Sequence, residues 1–89
     1  MKFETSKKFD KQVYQIRDKS LKKRLLSIID EIERANSLSV VHNVKPIKGH
    51  AGFYRIKSGV YRIGISLEND VVWLLFFGKR DESTYKKFP

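Results

Sequence analysis

The segment FYRIKSGVYRIGI, residues 53–65, decides the fold because two runs of alternating side chains flank a turn signal. Ser58-Gly59 is the predicted two-residue loop of a β-hairpin, and this loop places Arg55 opposite Arg62. Side chains alternate between the faces of a strand, so Lys57 shares the face of these two arginines. The opposite face is predicted to be apolar and to pack on a core, with Tyr54, Ile56, Tyr61, Ile63 and Ile65.

Further strands are predicted on both sides of this hairpin. Apolar and β-branched runs bounded by Pro, Gly, Asn or Asp indicate strands over residues 40–45, 53–57, 60–67 and 71–77, with a short opening strand over residues 2–4. His42 lies in the first of these runs.

Two helices are predicted before the hairpin. Phe9, Val13 and Ile16 recur at helical spacing after Thr5 or Ser6 as the N-cap, and residues 18–20 interrupt that pattern. A longer helix follows, ends near residues 35–37, and carries an apolar stripe of Leu21, Leu25, Ile28 and Ile32, widened by Leu26 and Ile29. The expected fold is α+β: a single domain over residues 1–89 in which a helical hairpin packs on one face of a small, mainly antiparallel twisted sheet.

The charge of the chain favours an anionic partner. The formal net charge is +9 and the sequence pI is near 9.9, which suits nucleic acid, an anionic membrane surface or an acidic protein. Between Glu33 and Glu68 there is no carboxylate, whereas Lys45, Lys48, Arg55, Lys57 and Arg62 all lie there. Like charges opposite one another destabilise a sheet by roughly 0.2–1 kcal/mol per pair, so folding gains nothing from this cationic face. The simpler interpretation is a set of solvated surface cations.

Several kinds of site are excluded or disfavoured. The chain has no cysteine, no Gly-rich phosphate loop and no HExxH-type metal motif. His42 and His50 stand alone, and neither is expected to be a ligand or a catalytic base. We therefore expect no metal and no cofactor. No stretch is long and apolar enough to serve as a leader or a membrane span, so a cytoplasmic protein is expected.

A site made of Lys, Arg and Tyr is suited to cleaving RNA. The 2′-hydroxyl of the substrate is the nucleophile, and the protein must position it, take its proton, stabilise the charged transition state and protonate the leaving 5′-oxygen. Arg binds phosphate oxygens through its fork of donors, and Lys acts as a base when neighbouring cations favour its neutral form. Lys57, between Arg55 and Arg62, meets that condition. Tyr85 and Phe88 are candidates for stacking on single-stranded RNA.

The order of these motifs resembles the RelE/ParE toxin superfamily. Two helices precede a strand with Tyr54-Arg55-Ile56-Lys57, a strand with Tyr61-Arg62-Ile63, an apolar strand, Gly78-Lys79-Arg80 and Tyr85. This resemblance covers nearly the whole chain. It implies a toxin of a type II toxin-antitoxin system, and in the RelE-type branch an mRNA interferase that cuts mRNA on the ribosome.

The resemblance also implies roles for individual residues. Lys57 matches the proposed general base, and Arg62 matches an arginine that stabilises the phosphate. Arg80 matches an arginine proposed to stabilise charge and protonate the leaving group, and Tyr85 matches a C-terminal tyrosine that orients the substrate nucleotide. Substrate contacts are expected from Arg55, Lys48 and Lys79. The remaining implied properties are an acidic cognate antitoxin, a toxin that is monomeric alone, and a higher-order complex with the antitoxin.

Two other functions stay open at this point. The ParE-type branch shares the fold but poisons DNA gyrase without cutting RNA, although it generally lacks the full basic and tyrosine set. An inactive module that binds RNA or antitoxin is the other alternative.

Overall fold

The computed structural model of the protein describes residues 1–80, so Tyr85 and Phe88 lie outside the described residues. Two α-helices, α1 (Lys7–Tyr14) and α2 (Lys19–Arg34), follow a short first strand. The strands are β1 (Lys2–Thr5), β2 (Val44–Pro46), β3 (Phe53–Ser58), β4 (Tyr61–Glu68) and β5 (Val71–Lys79). They form one sheet in the order β1-β5-β4-β3-β2, in which only β1 and β5 are parallel. The expected α+β architecture is confirmed.

Side-chain caps begin both helices: Ser6, one of the two predicted N-caps, begins α1, and Asp18, for which no cap was predicted, begins α2. The Ser6 hydroxyl accepts a hydrogen bond from the Phe9 N–H at 3.1 Å. The Asp18 carboxylate accepts from the N–H groups of Ser20 and Leu21 at 2.9 and 3.2 Å. These bonds satisfy N–H groups that the first helical turn leaves unpaired. The break between the helices is therefore residues 15–18, slightly earlier than the predicted 18–20, because Asp18 caps α2 and Lys19 already belongs to it.

The apolar faces of the sheet and helices meet in one core. Ile63 and Ile65 of β4, Leu74 of β5 and Ile32 of α2 are fully buried, and Phe9 of α1 is almost fully buried. The same cluster includes Leu25, Leu38, Val41, Ile56, Val72 and Phe77. No helix within residues 1–80 is long and apolar enough to cross a membrane.

The hairpin loop lies one residue later than predicted. Ser58 pairs with Tyr61, so the loop is Gly59-Val60. Gly59 has a φ of 59°, and a glycine at the first loop position is typical of the type II′ turn that joins twisted strands well. The shift lengthens β3 by one residue and starts β4 one residue later, so every side chain keeps its predicted face.

The predicted strand over residues 40–45 is wrong in its first half. Leu38–Val40 forms a short 3-10 helix, and β2 covers only Val44–Pro46. Burial of Leu38 and Val41 anchors the irregular segment on the core instead of in the sheet. His42 therefore lies in a turn before β2 and not in a strand.

Helix α1 replaces a neighbouring strand along the second half of β5. Strand β1 pairs with β5 only as far as Leu74. Beyond that point the Gln12 side-chain oxygen accepts the Phe77 N–H at 2.7 Å, and the Ser6 hydroxyl donates to the Leu75 carbonyl at 3.1 Å. These bonds satisfy an otherwise open strand edge. They hold the part of β5 that leads to Arg80.

Candidate anion-binding site

A cationic pocket of about 520 Å³ opens on the sheet face away from the core. It is lined by Asn43, Lys45, Arg55, Lys57, Arg62 and Arg80. Five of these six side chains are cationic, and no carboxylate from residues 1–80 lines the pocket. Such a concentration of positive charge in a concave surface attracts anions.

The pairing of β2, β3 and β4 builds this pocket. Lys45 lies opposite Arg55, and Lys57 lies opposite Arg62. The predicted opposition of Arg55 and Arg62 is therefore wrong, although all the cations share the expected face. Across the sheet from the two arginines stand glycines: Gly64 opposite Arg55 and Gly78 opposite Arg62. A residue without a side chain leaves room beside a large guanidinium on the same face.

Arg62 is the most buried cation of the pocket, with 5% of its surface exposed. Its Nη1 donates to the carbonyls of Gly59 and Tyr61 at 2.7 and 2.8 Å. These carbonyls belong to the hairpin loop and its neighbour, so the loop orients the guanidinium. The N–H groups of Nε and Nη2 make no hydrogen bond within residues 1–80, which leaves three of the five guanidinium donors for a ligand.

Arg80 reaches the same pocket from the end of β5. Its backbone N–H donates to the Val60 carbonyl at 2.8 Å. This bond ties the residue to the hairpin loop just beyond the last strand pair, Tyr61 with Lys79. Arg80 is exposed, and it lines the same pocket as Lys45 and Arg55.

Four of the residues expected from the sequence come together here, namely Arg55, Lys57, Arg62 and Arg80. Lys48 does not line the pocket because it lies in the turn between β2 and β3. Lys79 pairs with Tyr61 and so belongs to the opposite face of the sheet. Tyr85 lies outside the described residues.

Two lining residues were not among the expected site residues, Asn43 and Lys45. Lys45 belongs to the carboxylate-free stretch, and its place beside Arg55 follows from the pairing of β2 with β3. The sequence offers no turn that fixes this register. Asn43 has a φ of 63°, a left-handed conformation that Asn tolerates better than most residues. Asn43 lies inside the strand predicted over residues 40–45, so no local pattern marks it as a site residue.

His42 is engaged with Glu31 of α2. Its backbone N–H donates to Glu31 Oε2 at 2.8 Å, and its Nδ1 lies 2.7 Å from the same oxygen. The backbone hydrogen bond is the main cause that lowers the pKa of the Glu31 carboxyl below its usual value. Within residues 1–80 no three His, Cys, Asp or Glu side chains are grouped to hold a metal ion.

Comparison with known proteins identifies relatives of this fold and sequence. No protein-family model matches the chain. The chain is 39% identical over 70 residues to Toxin RelE3 of Methanocaldococcus jannaschii, and the match covers 78% of both chains.

Solved structures agree over a larger part of the chain. The RelB-RelE antitoxin-toxin complex from Methanococcus jannaschii matches with a TM-score of 0.78 and 34% identity, covering 100% of both chains. The RelE-RelB complex of Pyrococcus horikoshii matches with a TM-score of 0.73 and 21% identity, over 92% of this chain and 97% of that one. The isolated RelE toxin of E. coli, at 15% identity and a TM-score of 0.67, shares the fold.

Proposed function

Since the chain belongs to the RelE toxin family, we propose that it is an endoribonuclease that cleaves mRNA in its cationic pocket. The observation that carries the proposal is the convergence of Lys57, Arg62 and Arg80 in one pocket without a carboxylate from residues 1–80. A phosphodiester passing through this pocket relieves the repulsion among the cations. The residue types present suit a reaction whose nucleophile comes from the substrate.

The reaction begins at the 2′-hydroxyl. Lys57, opposite Arg62 and in contact with the same pocket, takes the proton of the 2′-hydroxyl as its oxygen attacks the adjacent phosphorus. The P–O bond to the 5′-oxygen of the next nucleotide breaks. The products are a 2′,3′-cyclic phosphate and a 5′-hydroxyl, so this step consumes no water.

Two arginines act on the charge that develops. Arg62 is held by two loop carbonyls, and this preorganised guanidinium stabilises the phosphorane-like transition state. Arg80 matches the family arginine proposed to protonate the leaving group, and it gives a proton to the 5′-oxygen because an alkoxide is more basic than a neutral guanidine. Arg55 and Lys45 bind the flanking phosphates. Tyr85 orients the nucleotide, a role that rests on the family resemblance.

Lys48 and Lys79 have a smaller part in this proposal. Neither lines the pocket, so we assign them only a contribution to the long-range attraction of RNA. In the proposed reaction the mRNA is bound to the ribosome. The ribosome already holds the message in a fixed position, so less entropy is lost when the enzyme aligns the reacting groups.

The proposed regulatory partner is an acidic antitoxin. The Methanococcus jannaschii and Pyrococcus horikoshii relatives are complexes of RelE with RelB. A chain with a net charge of +9 is suited to an acidic protein segment laid over the cationic pocket.

Primer extension on mRNA from a translating extract tests the proposed activity. Wild-type protein should produce new cuts that need ribosomes, and Arg62→Ala and Arg80→Ala should abolish them. Lys22→Ala is the charge-matched control, because Lys22 is an exposed cation of α2 that lines no part of the pocket. Growth arrest with double-strand DNA breaks and without RNA cuts would replace the proposal with gyrase inhibition. Cutting that survives in both arginine variants would refute the site.

A further inference from the structure

A second groove adjoins the cationic pocket near the end of β3, just beyond its pairing with β2. Its volume is about 540 Å³, and it lies between α2 and the end of β3. Asn43 and Lys57 line both cavities. The backbone links these two residues, since the Lys57 N–H donates to the Asn43 carbonyl at 3.1 Å. The two cavities are therefore neighbours that share one ridge.

The second groove differs from the cationic pocket in its chemistry. Its lining includes Arg24, Ser27 and Glu31 of α2, whereas Ile28 and Ile56 contribute apolar surface. Glu31 is the one carboxylate from residues 1–80 that lines either cavity. A carboxylate repels phosphate, and a mostly polar groove with some apolar surface from Ile28 suits a flat ring that carries hydrogen-bonding groups.

One oxygen of Glu31 is committed and the other is available. Oε2 accepts from the backbone N–H of His42 and lies 2.7 Å from His42 Nδ1. Oε1 makes no hydrogen bond to any of residues 1–80. The lowered pKa of this carboxyl keeps it ionised near neutral pH. Oε1 thus presents acceptor lone pairs and no donor to the groove.

We propose that this groove holds the base of a nucleotide next to the cleaved phosphate, and that Glu31 Oε1 selects bases that carry an exocyclic amino group. The inference rests on the proposed nuclease function and adds a specificity-determining residue to it. The ribose-phosphate chain crosses the ridge at Asn43 and Lys57, so one nucleotide can enter the groove while its phosphate stays in the pocket. Arg24 also lines the groove, and its guanidinium, 3.5 Å from the Ser58 carbonyl, can meet a second phosphate.

A base fits these observations better than a peptide does. Adenine, cytosine and guanine each have an exocyclic amino group that donates to a carboxylate, whereas both exocyclic groups of uracil are carbonyls that a carboxylate repels. The groove lining includes two cations, Arg24 and Lys57, which can contact the phosphates of a bound nucleotide. An acidic peptide would instead bring carboxylates next to Glu31.

The test compares the bases found beside the cuts made in a randomised mRNA pool by wild-type protein and by Glu31→Gln. At one flanking position the wild type should favour amino-bearing bases over uracil by about ten-fold, the size of one charge-assisted hydrogen bond. In Glu31→Gln the amide oxygen must face the His42 N–H, so the NH₂ group faces the groove and the preference should reverse toward uracil. Glu33→Gln is the matched control, since Glu33 is exposed on the same helix and lines neither cavity.

A second variant separates an effect on the groove from an effect on folding. Ser27→Phe fills the groove from an exposed position of α2 without replacing Glu31 or His42, and it should flatten the preference while the melting temperature stays close to that of wild type. Cuts whose flanking bases are the same in wild type, Glu31→Gln and Ser27→Phe would overturn the inference and leave the nuclease intact. Unchanged flanking bases would overturn the inference even if the same variants weakened the binding of an antitoxin peptide. A wild type that makes no cuts would instead refute the proposed function on which the inference rests.

Discussion

Strands β3 and β4 present two faces built from alternate residues of the same segments. On one face, Ile56, Ile63 and Ile65 each expose 1% of their surface or less. On the other, Lys57 faces Arg62 and Arg55 faces Lys45 across neighbouring strands. The apolar face removes hydrocarbon from water and stabilises the fold. The cationic face places like charges directly opposite one another, which costs stability.

The difference between the faces separates folding from function. The burial of well-packed apolar side chains is explained by the stability it gives the fold. The opposed cations give no such gain, and no carboxylate from residues 1–80 lines their pocket. If the account is right, substitutions on the two faces should have opposite effects. Apolar-face variants should lose stability and keep their chemistry once folded, and cationic-face variants should keep or gain stability and lose chemistry.

The largest expected effect is the loss of cleavage on replacing the base. Lys57→Ala should slow single-turnover mRNA cleavage by about 10²–10⁴-fold, the usual contribution of a general base. Quantified primer extension over a time course would measure it. Lys48→Ala tests the geometry against the sequence expectation, because Lys48 lies outside the pocket. A Lys57→Ala enzyme within a few-fold of wild type would place the base elsewhere.

The next effect is on the apolar face. Ile63 is fully buried, and Ile63→Ala should lower the free energy of unfolding by about 2–5 kcal/mol, through lost burial and the cavity left behind. Urea unfolding followed by circular dichroism gives this value. Val60→Ala, at a position 61% exposed, provides a control that should change little. Cleavage per folded molecule should be retained in both variants. Its selective loss in Ile63→Ala would contradict the claim that the apolar face serves stability and not cleavage.

A smaller effect with the opposite sign is expected on the cationic face. Lys57→Thr removes one opposed pair of cations and introduces a residue suited to strands, so stability should rise by roughly 0.2–1 kcal/mol. The melting temperature in low salt should therefore increase, and the gain should shrink in high salt because salt screens the repulsion. Arg62 is not suitable for this experiment, since its bonds to Gly59 and Tyr61 contribute to the loop. A fall in stability would show that the opposed cations do not destabilise the fold.

The smallest expected effect concerns Glu31, which belongs to neither face. Its folded-state pKa is lowered from 4.5, so its ionised form stabilises the fold above that value, and this contribution is lost as the pH falls through the folded-state pKa. With a third of its side chain exposed, the contribution should stay below about 1 kcal/mol. Unfolding of wild type and Glu31→Gln, compared from pH 7 to pH 3, should show a difference that narrows toward acid. A difference that widens toward acid would reverse the assigned direction.

Much of this architecture could be predicted from local patterns. Alternation in residues 53–65 assigns the faces correctly, and Asp18 marks the start of α2 through its side chain. The loop position was missed because Ser58-Gly59 and Gly59-Val60 are both plausible turns, and only the pairing in the folded sheet chooses between them. Such a choice depends on long-range packing.

The full set of residues that line the pocket could not be predicted, because it depends on two strand pairings that local sequence patterns do not determine. Lys45 joins it through the register of a three-residue strand, β2, whose neighbour is set by the fold. Lys79 is excluded from it because the pairing with Tyr61 turns its side chain to the other face. A motif that groups Gly78, Lys79 and Arg80 as one unit cannot show that adjacent cations of a strand point in opposite directions.

The most direct test of the cationic face as a nuclease site is cleavage of an mRNA that carries a single 2′-deoxy substitution. The substitution is placed at the nucleotide 5′ to a mapped cut, and the message is translated with wild-type protein. Cleavage at that bond should disappear, while cuts at unmodified bonds of the same message persist and end in a 2′,3′-cyclic phosphate and a 5′-hydroxyl. Undiminished cleavage at the substituted bond would contradict a mechanism in which the 2′-hydroxyl of the substrate is the nucleophile.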